Sequence, residues 1–252
     1  MGRGRTVKDI SLKAVNVSKK LRQTQALKGL SMQFAPHQIH GIIGPEGAGK
    51  TTFLRHIMGL LKPDAGEIVF LDEDSPVEFS KIRELVAYMP QTQSLYPELS
   101  IHEHLEFFKT LYQLPEEEYK NRRQKLLHMA RLEKFTDRLA SQLSGGMYKK
   151  LGLICALLSS PKVLLLDEPT NGVDPLSRRD FWELLYELKE QEDILILVTT
   201  SYMDEALKCQ QVHLLFDGKM LLEGTPQEIL KEKGCKSFDE VFLQYDSSLE
   251  AL

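Results

Sequence analysis

Two short stretches of this 252-residue chain carry residue types that act on polyphosphates. The first is GPEGAGKTT, made of Gly44, Pro45, Glu46, Gly47, Ala48, Gly49, Lys50, Thr51 and Thr52. It matches G-x-x-x-x-G-K-[ST] in full, with an apolar run before it and an apolar-striped helix after it, the setting that the motif requires. Glycines at 44, 47 and 49 let the backbone curl until several N–H groups point into one hollow, and a helix N-terminus adds partial positive charge. Lys50 is then expected at the terminal phosphates, with the Thr51 hydroxyl on Mg²⁺. The second stretch is KVLLLDE, in which a buried strand delivers Asp167 and Glu168 to the sheet edge where α/β proteins bind ligands. Asp167 is expected to act on Mg²⁺ and Glu168 to polarise an attacking water. Either stretch has a bland explanation, an accidental glycine turn or an ordinary acidic strand end. Together they point to a nucleoside triphosphatase.

The elements that must position these groups are legible as well. Apolar runs at 39–43, 163–166 and 194–198 lack polar alternation, as strands covered by helices on both faces do. Phe53, Leu54, Ile57, Met58 and Leu61 form one helical stripe, and Phe181, Leu184, Leu185 and Leu188 form another. Strand alternating with helix predicts an α/β fold. Asp217-Gly218 between apolar runs predicts a hairpin. Residues of about 93–155 read instead as helical: Ser100 and Glu103 make a capping box, and Leu105, Phe108 and Leu111 follow at helical spacing. The basic cluster Lys120, Arg122, Arg123 and Lys125, beside Glu116, Glu117 and Glu118, reads mainly as a solvated helix face, with docking as the alternative.

Composition excludes several classes. With 32 Lys and Arg against 36 Asp and Glu, the net charge of −4 argues against coating nucleic acid by bulk charge. No apolar stretch approaches the ~18 residues of a membrane span. Three scattered cysteines, Cys155, Cys209 and Cys235, suggest neither a disulfide framework nor a zinc site. The first ten residues, MGRGRTVKDI, lack the apolar core of a secretion signal, so a cytoplasmic location is expected.

Between the two polyphosphate stretches lies LSGGMYKKL. Here the chain resembles the ATP-binding subunits of ABC transporters, whose signature is a Leu-Ser-Gly-Gly loop opening a helix, and the resemblance extends over about residues 10–245. It implies an α/β fold with a P-loop (RecA-like) core: a mostly parallel sheet, a small N-terminal antiparallel β part and an inserted α-helical subdomain at about 93–155. The whole of 1–252 is then one ATP-binding domain with a C-terminal tail from about 236. It implies ATP and Mg²⁺ as ligands. Ser144, Gly145 and Gly146 become a second phosphate site, completing the nucleotide site of another subunit in a head-to-tail dimer. Gln91 in YMPQ matches the family's glutamine loop, which contacts Mg²⁺ and the water. Asp174 in NGVDP matches the loop that crosses the dimer interface, and the helical insert matches the part that docks on membrane subunits. The partners implied are membrane-spanning transporter subunits and a second ATP-binding domain, the same chain or an asymmetric one. The location implied is the cytoplasmic face of the cell membrane.

Four positions depart from the family pattern. Ser201, in VTTSYMDEA, stands where the switch histidine is usual; it is shorter and cannot become cationic. Leu21 falls where an aromatic usually stacks on adenine, an interaction worth roughly 1–3 kcal/mol. Glu46 puts a carboxylate in the phosphate loop, and Met147 replaces glutamine. Leu21, Glu46 and Ser201 all belong to the chain's own site, whereas Ser144, Gly145 and Gly146 are intact, so an asymmetric pair with a degenerate own site is expected. The Ser-Tyr switch variant with LSGGM resembles the first of two ATP-binding halves in fused bacterial multidrug-export subunits. The functions in competition are an export-type transporter ATPase, a regulatory ATP-binding module with little hydrolysis, and a family member acting on DNA or ribosomes. The last would carry coiled-coil inserts or basic linkers, which are missing here.

Overall fold

The computed structural model describes residues 9–92 and 95–250. In chain order the elements are β1 (Ile10–Leu21), β2 (Thr24–Phe34), β3 (Ile39–Ile43), α1 (Lys50–Ile57), β4 (Ala65–Asp72), β5 (Ser75–Val77), α2 (Phe79–Ile82), β6 (Val86–Met89), α3 (Ile101–Leu111), α4 (Glu116–Ala130), α5 (Gly145–Leu157), β7 (Val163–Asp167), α6 (Pro175–Gln191), β8 (Leu195–Thr200), β9 (Gln211–Phe216), β10 (Lys219–Gly224), α7 (Pro226–Lys233) and α8 (Phe238–Glu250). An antiparallel sheet has the order β2-β1-β4-β5; the central sheet runs β10-β9-β3-β8-β7-β6. Among the described residues of the central sheet only the β9–β10 hairpin is antiparallel. The expected α/β class, with a mostly parallel sheet and an antiparallel N-terminal part, is what is seen.

The unbroken apolar runs follow from two-sided burial. Ile39, Ile43, Leu164, Leu166, Ile196 and Val198 face the core shared with α3–α6. Their neighbours Ile42, Val163, Leu165, Leu195 and Leu197 face a second core with α1 and the antiparallel sheet. Strands β3, β8, β7 and β6 are adjacent and parallel, so the segments after them emerge along one edge. Register aligns Ile43 with Thr200 and Thr199 with Asp167, setting the phosphate loop, the switch segment and the acidic pair at one level.

The structure departs from the sequence reading in three places. The stripe after Lys50 stops at Ile57, not Leu61: Gly59 has φ 67° and donates to His56 O, while Leu60 N donates to Arg55 O, a Schellman ending that leaves Leu60 exposed. The strand at 194–198 is shifted to Leu195–Thr200. The basic cluster is only partly a solvated face. Arg122 and Lys125 grip Glu192 at the end of α6, at 2.9 and 2.6 Å, and Arg122 Nε also donates to Leu157 O. Lys120, by contrast, pairs with exposed Glu116 and Glu117. The Ser100–Glu103 capping box is present in full.

Candidate active site

A cleft of about 350 Å³ opens at the common edge, lined by Thr24, Gln25 and Ala26 of β2, the loop from Glu46 into α1, Gln91, Glu168 and Asp217. The loop is held in shape by backbone constraints. Gly49 lies at φ 103°, and a Cβ there would sit 2.6 Å from Ala26 O; Gly47 lies at φ 78°. Gly44 is glycine for another reason, because a Cβ would come within 2.1 Å of Leu215 O. The β9–β10 turn braces the loop from outside: Gly218 N donates to Ala48 O at 3.1 Å. Sequence reasoning found that hairpin but not its contact with the loop, nor the place of Asp217 in the cleft. Among the described residues no side chain caps α1, so its first-turn amides are left for an anion.

The chemistry-bearing side chains converge here. Lys50, 5% exposed, donates to Gly44 O (2.7 Å) and Pro45 O (2.9 Å) and pairs with Glu168 Oε1 at 2.9 Å. Its three N–H donors are thereby matched by three acceptors. The other Glu168 oxygen, Oε2, accepts from Ser201 N at 3.1 Å and Ser201 Oγ at 3.3 Å. Glu168 itself sits at φ 47°, a sparsely populated conformation for a residue with a side chain, fixed by its N–H donating to Thr199 O and Oγ1. Asp167 Oδ1 accepts from Thr51 Oγ1 (3.0 Å) and Thr199 Oγ1 (2.8 Å), and Oδ2 accepts from Tyr88 Oη (3.0 Å). Burial, then the Asp167 charge, pushes the Tyr88 phenol up to about 12, so it stays a donor. Thr199 and Tyr88 escaped the sequence reading because hydroxyls on strands carry no motif.

These residues fit a Mg²⁺ nucleotide. Thr51 and Asp167 present two hard oxygens 3.0 Å apart, and no cluster of three or more His, Cys, Asp or Glu among the described residues would hold a metal alone. That donor set suits a cation that keeps water and phosphate ligands.

Other sequence-derived positions are distributed as follows. Gln91 borders the cleft and is exposed; its carbonyl accepts from Lys149 Nζ at 3.1 Å. Glu46 is exposed on the loop rim. Leu21 is not among the cleft residues; it pairs with Thr24 at the end of the β1–β2 hairpin. Ser144 caps α5, accepting from Met147 N at 3.3 Å, and both Ser144 and Gly145 are exposed away from the cleft. Gly146 is different: it is buried, and a Cβ would lie 2.5 Å from Ser177 Cβ, so close packing inside the chain explains that glycine. Asp174 accepts from Ser177 N at 3.0 Å and caps α6.

A family model described as ABC transporter matches residues 27–171. The probable multidrug ABC transporter ATP-binding protein YbhF of Escherichia coli is 44% identical over 200 residues, 79% of this chain and 34% of that protein. The Nod factor export ATP-binding protein I of Sinorhizobium fredii is 36% identical over 233 residues, 92% of this chain and 68% of that protein. Among solved structures, cbiO1 of Clostridium perfringens, described as part of the ABC transporter complex cbiONQ, matches with TM-score 0.80 and 31% identity over 90% of this chain and 92% of that one. The chain spans about a third of the length of the first curated relatives it matches.

Proposed function

We propose, for a chain that belongs to the ABC transporter family of ATP-binding proteins, that it binds and hydrolyses Mg-ATP to drive membrane subunits of an exporter. One observation carries this reading: Lys50, Thr51, Asp167, Glu168 and Ser201 meet at the uncapped N-terminus of α1. The phosphates lie on residues 44–52, and Lys50 exchanges Glu168 for the γ-phosphate. That exchange leaves the Glu168 carboxylate free to accept a proton from water as the water attacks phosphorus in line and ADP departs. Thr51, Asp167 and Gln91 would hold Mg²⁺, which would supply charge neutralisation to the phosphates. Ser201 orients Glu168 through its N–H and hydroxyl and contributes no cation.

Ser144, Gly145 and Gly146 serve a second ATP-binding domain, the exposed Ser144 and Gly145 presenting the turn that completes a partner's site in a head-to-tail dimer. We read the whole chain as one domain, with the insert at about 93–155 facing membrane-spanning subunits and the tail from about 236, on the cytoplasmic face of the membrane. The lean to export rests on the names of the multidrug and Nod factor relatives. A second reading, a regulatory module with little hydrolysis, draws on Ser201 being engaged with Glu168. Phosphate release and nucleotide binding by the chain and by Lys50→Ala decide. Binding and turnover, both lost in Lys50→Ala, support the first reading; binding without turnover supports the second; no binding refutes both.

A further inference from the structure

Each oxygen of a carboxylate has about two lone-pair positions, and those of the buried Asp167 are met by three hydroxyls. On Oδ1 both positions are taken, by Thr51 Oγ1 at 3.0 Å and Thr199 Oγ1 at 2.8 Å, while Oδ2 accepts from Tyr88 Oη at 3.0 Å. Strand register dictates this arrangement. Thr199 pairs with Asp167 across β8 and β7, and Tyr88 pairs with Leu165 across β6 and β7. Alternate residues of a strand share a face, so Leu165 and Asp167 project to the same side, and a side chain as long as tyrosine reaches from one to the other. The half-buried Tyr88 ring packs on the core that contains Leu165 and lines a groove with Met89, Phe108 and Tyr112. Phenylalanine would fill that place equally well, so packing alone does not explain the hydroxyl.

The three donors are not equivalent for a cation. In the function proposed above Thr51 is itself a metal ligand, and turning its hydroxyl to Mg²⁺ would open one position on Oδ1. Tyr88 has no such second duty. While it holds Oδ2, Asp167 offers a cation only Oδ1; binding through both oxygens would require the carboxylate to turn and break the Tyr88 bond. Ca²⁺ accepts two-oxygen carboxylates in irregular shells at about 2.3–2.6 Å, whereas Mg²⁺ requires a near-octahedral shell at about 2.0–2.1 Å. Hydrogen bonds that fix a ligating carboxylate are worth about 10–100-fold in metal affinity. We propose that Tyr88 is a positioning residue that locks Asp167 for one-oxygen binding and thereby makes the nucleotide site selective for Mg²⁺ over Ca²⁺. This role rests on the nucleotide reading above and adds to it the residue that selects the metal.

Calorimetric titration of the full chain with a non-hydrolysable ATP analogue tests it, in EDTA and over a range of Mg²⁺ or Ca²⁺ concentrations. In the unsubstituted chain Mg²⁺ tightens binding at lower concentration than Ca²⁺ does. In Tyr88→Phe the Mg²⁺ concentration giving half of that effect rises about tenfold, while the Ca²⁺ value and the affinity in EDTA move by less than about twofold. Tyr88→Met, which also fills the space without a donor, gives the same readout should the phenylalanine variant unfold. An unchanged Mg²⁺ midpoint in these variants, an equal rise for both cations, or a matching loss of affinity in EDTA overturns the selecting role of Tyr88. An unsubstituted chain that binds the analogue without favouring Mg²⁺ overturns it as well, and leaves the nucleotide reading standing. No binding of the analogue under any of these conditions overturns the nucleotide reading and the role of Tyr88 with it.

Discussion

Replacing Ser201 by histidine is the perturbation whose outcome the site geometry constrains most tightly. The Ser201 N–H and hydroxyl share one acceptor, Glu168 Oε2, and the N–H bond is the shorter, 3.1 against 3.3 Å. Removing the hydroxyl therefore leaves Glu168 held by Ser201 N and by Lys50. A hydrogen bond to a charged group is worth about 1.5–3 kcal/mol when well formed; at the long end of the range we take about 1 kcal/mol, or roughly fivefold in rate. An imidazole reaches further and can carry charge. A donor aimed at developing negative charge is worth about 10²–10³ in kcat. Phosphate release at saturating Mg-ATP should show Ser201→Ala within about fivefold of the unsubstituted chain, and Ser201→His about 10²-fold faster with little change in KM. If the unsubstituted chain already matches Ser201→His, or Ser201→Ala loses about 10²-fold, the assignment of Ser201 as a weak substitute for the switch residue is wrong.

Three further substitutions probe the scaffold. Thr199→Val keeps the side-chain shape but removes the buried hydroxyl that serves both Asp167 and the Glu168 N–H; a loss of about 1.5–3 kcal/mol, seen as a Tm lower by about 3–10 °C, is expected. Gly146→Ala presses a methyl onto Ser177 and should destabilise by about 1–3 kcal/mol of overpacking in the same melting assay; no loss would show that the glycine is not required for packing. His40 is lowered from 6.5 to about 3, mainly by burial and then by neighbouring His213. The folded state thus binds fewer protons than the unfolded chain below pH 6.5, and stability present above that pH falls as pH drops toward 3, by about 1.4 kcal/mol per unit. Denaturant titrations of His40→Gln should show a flatter dependence between pH 6.5 and 5.

Much of the site was legible because its parts are local. The phosphate loop needs positive φ and close backbone approach at fixed spacings, and the acidic pair ends a strand whose apolar run marks it as doubly covered. Long-range partnerships left no trace. Nothing in the spacing of Tyr88, Thr199 and Thr51 announces that all three hydroxyls surround Asp167; only the strand order β8-β7-β6 beside α1 brings them together. The pairing of Lys50 with Glu168, 118 positions along, is of the same kind. Local pattern also misled where a single residue overrode it: Gly59 ended a helix whose apolar stripe continued to Leu61. Nor did spacing announce that Gly146 packs closely against Ser177.

The central claim is that each nucleotide site is built from two chains, and mixing two inactive variants tests it most directly. Lys50→Ala spoils a chain's own loop while keeping Ser144 and Gly145; Ser144→Arg does the reverse. Each alone should release no phosphate. In an equimolar mixture, half of the dimers pair one of each and contain a single intact site out of two, so about a quarter of the unsubstituted rate should return if dimers form at random. A mixture that stays silent, while the unsubstituted chain turns over ATP, would contradict the account.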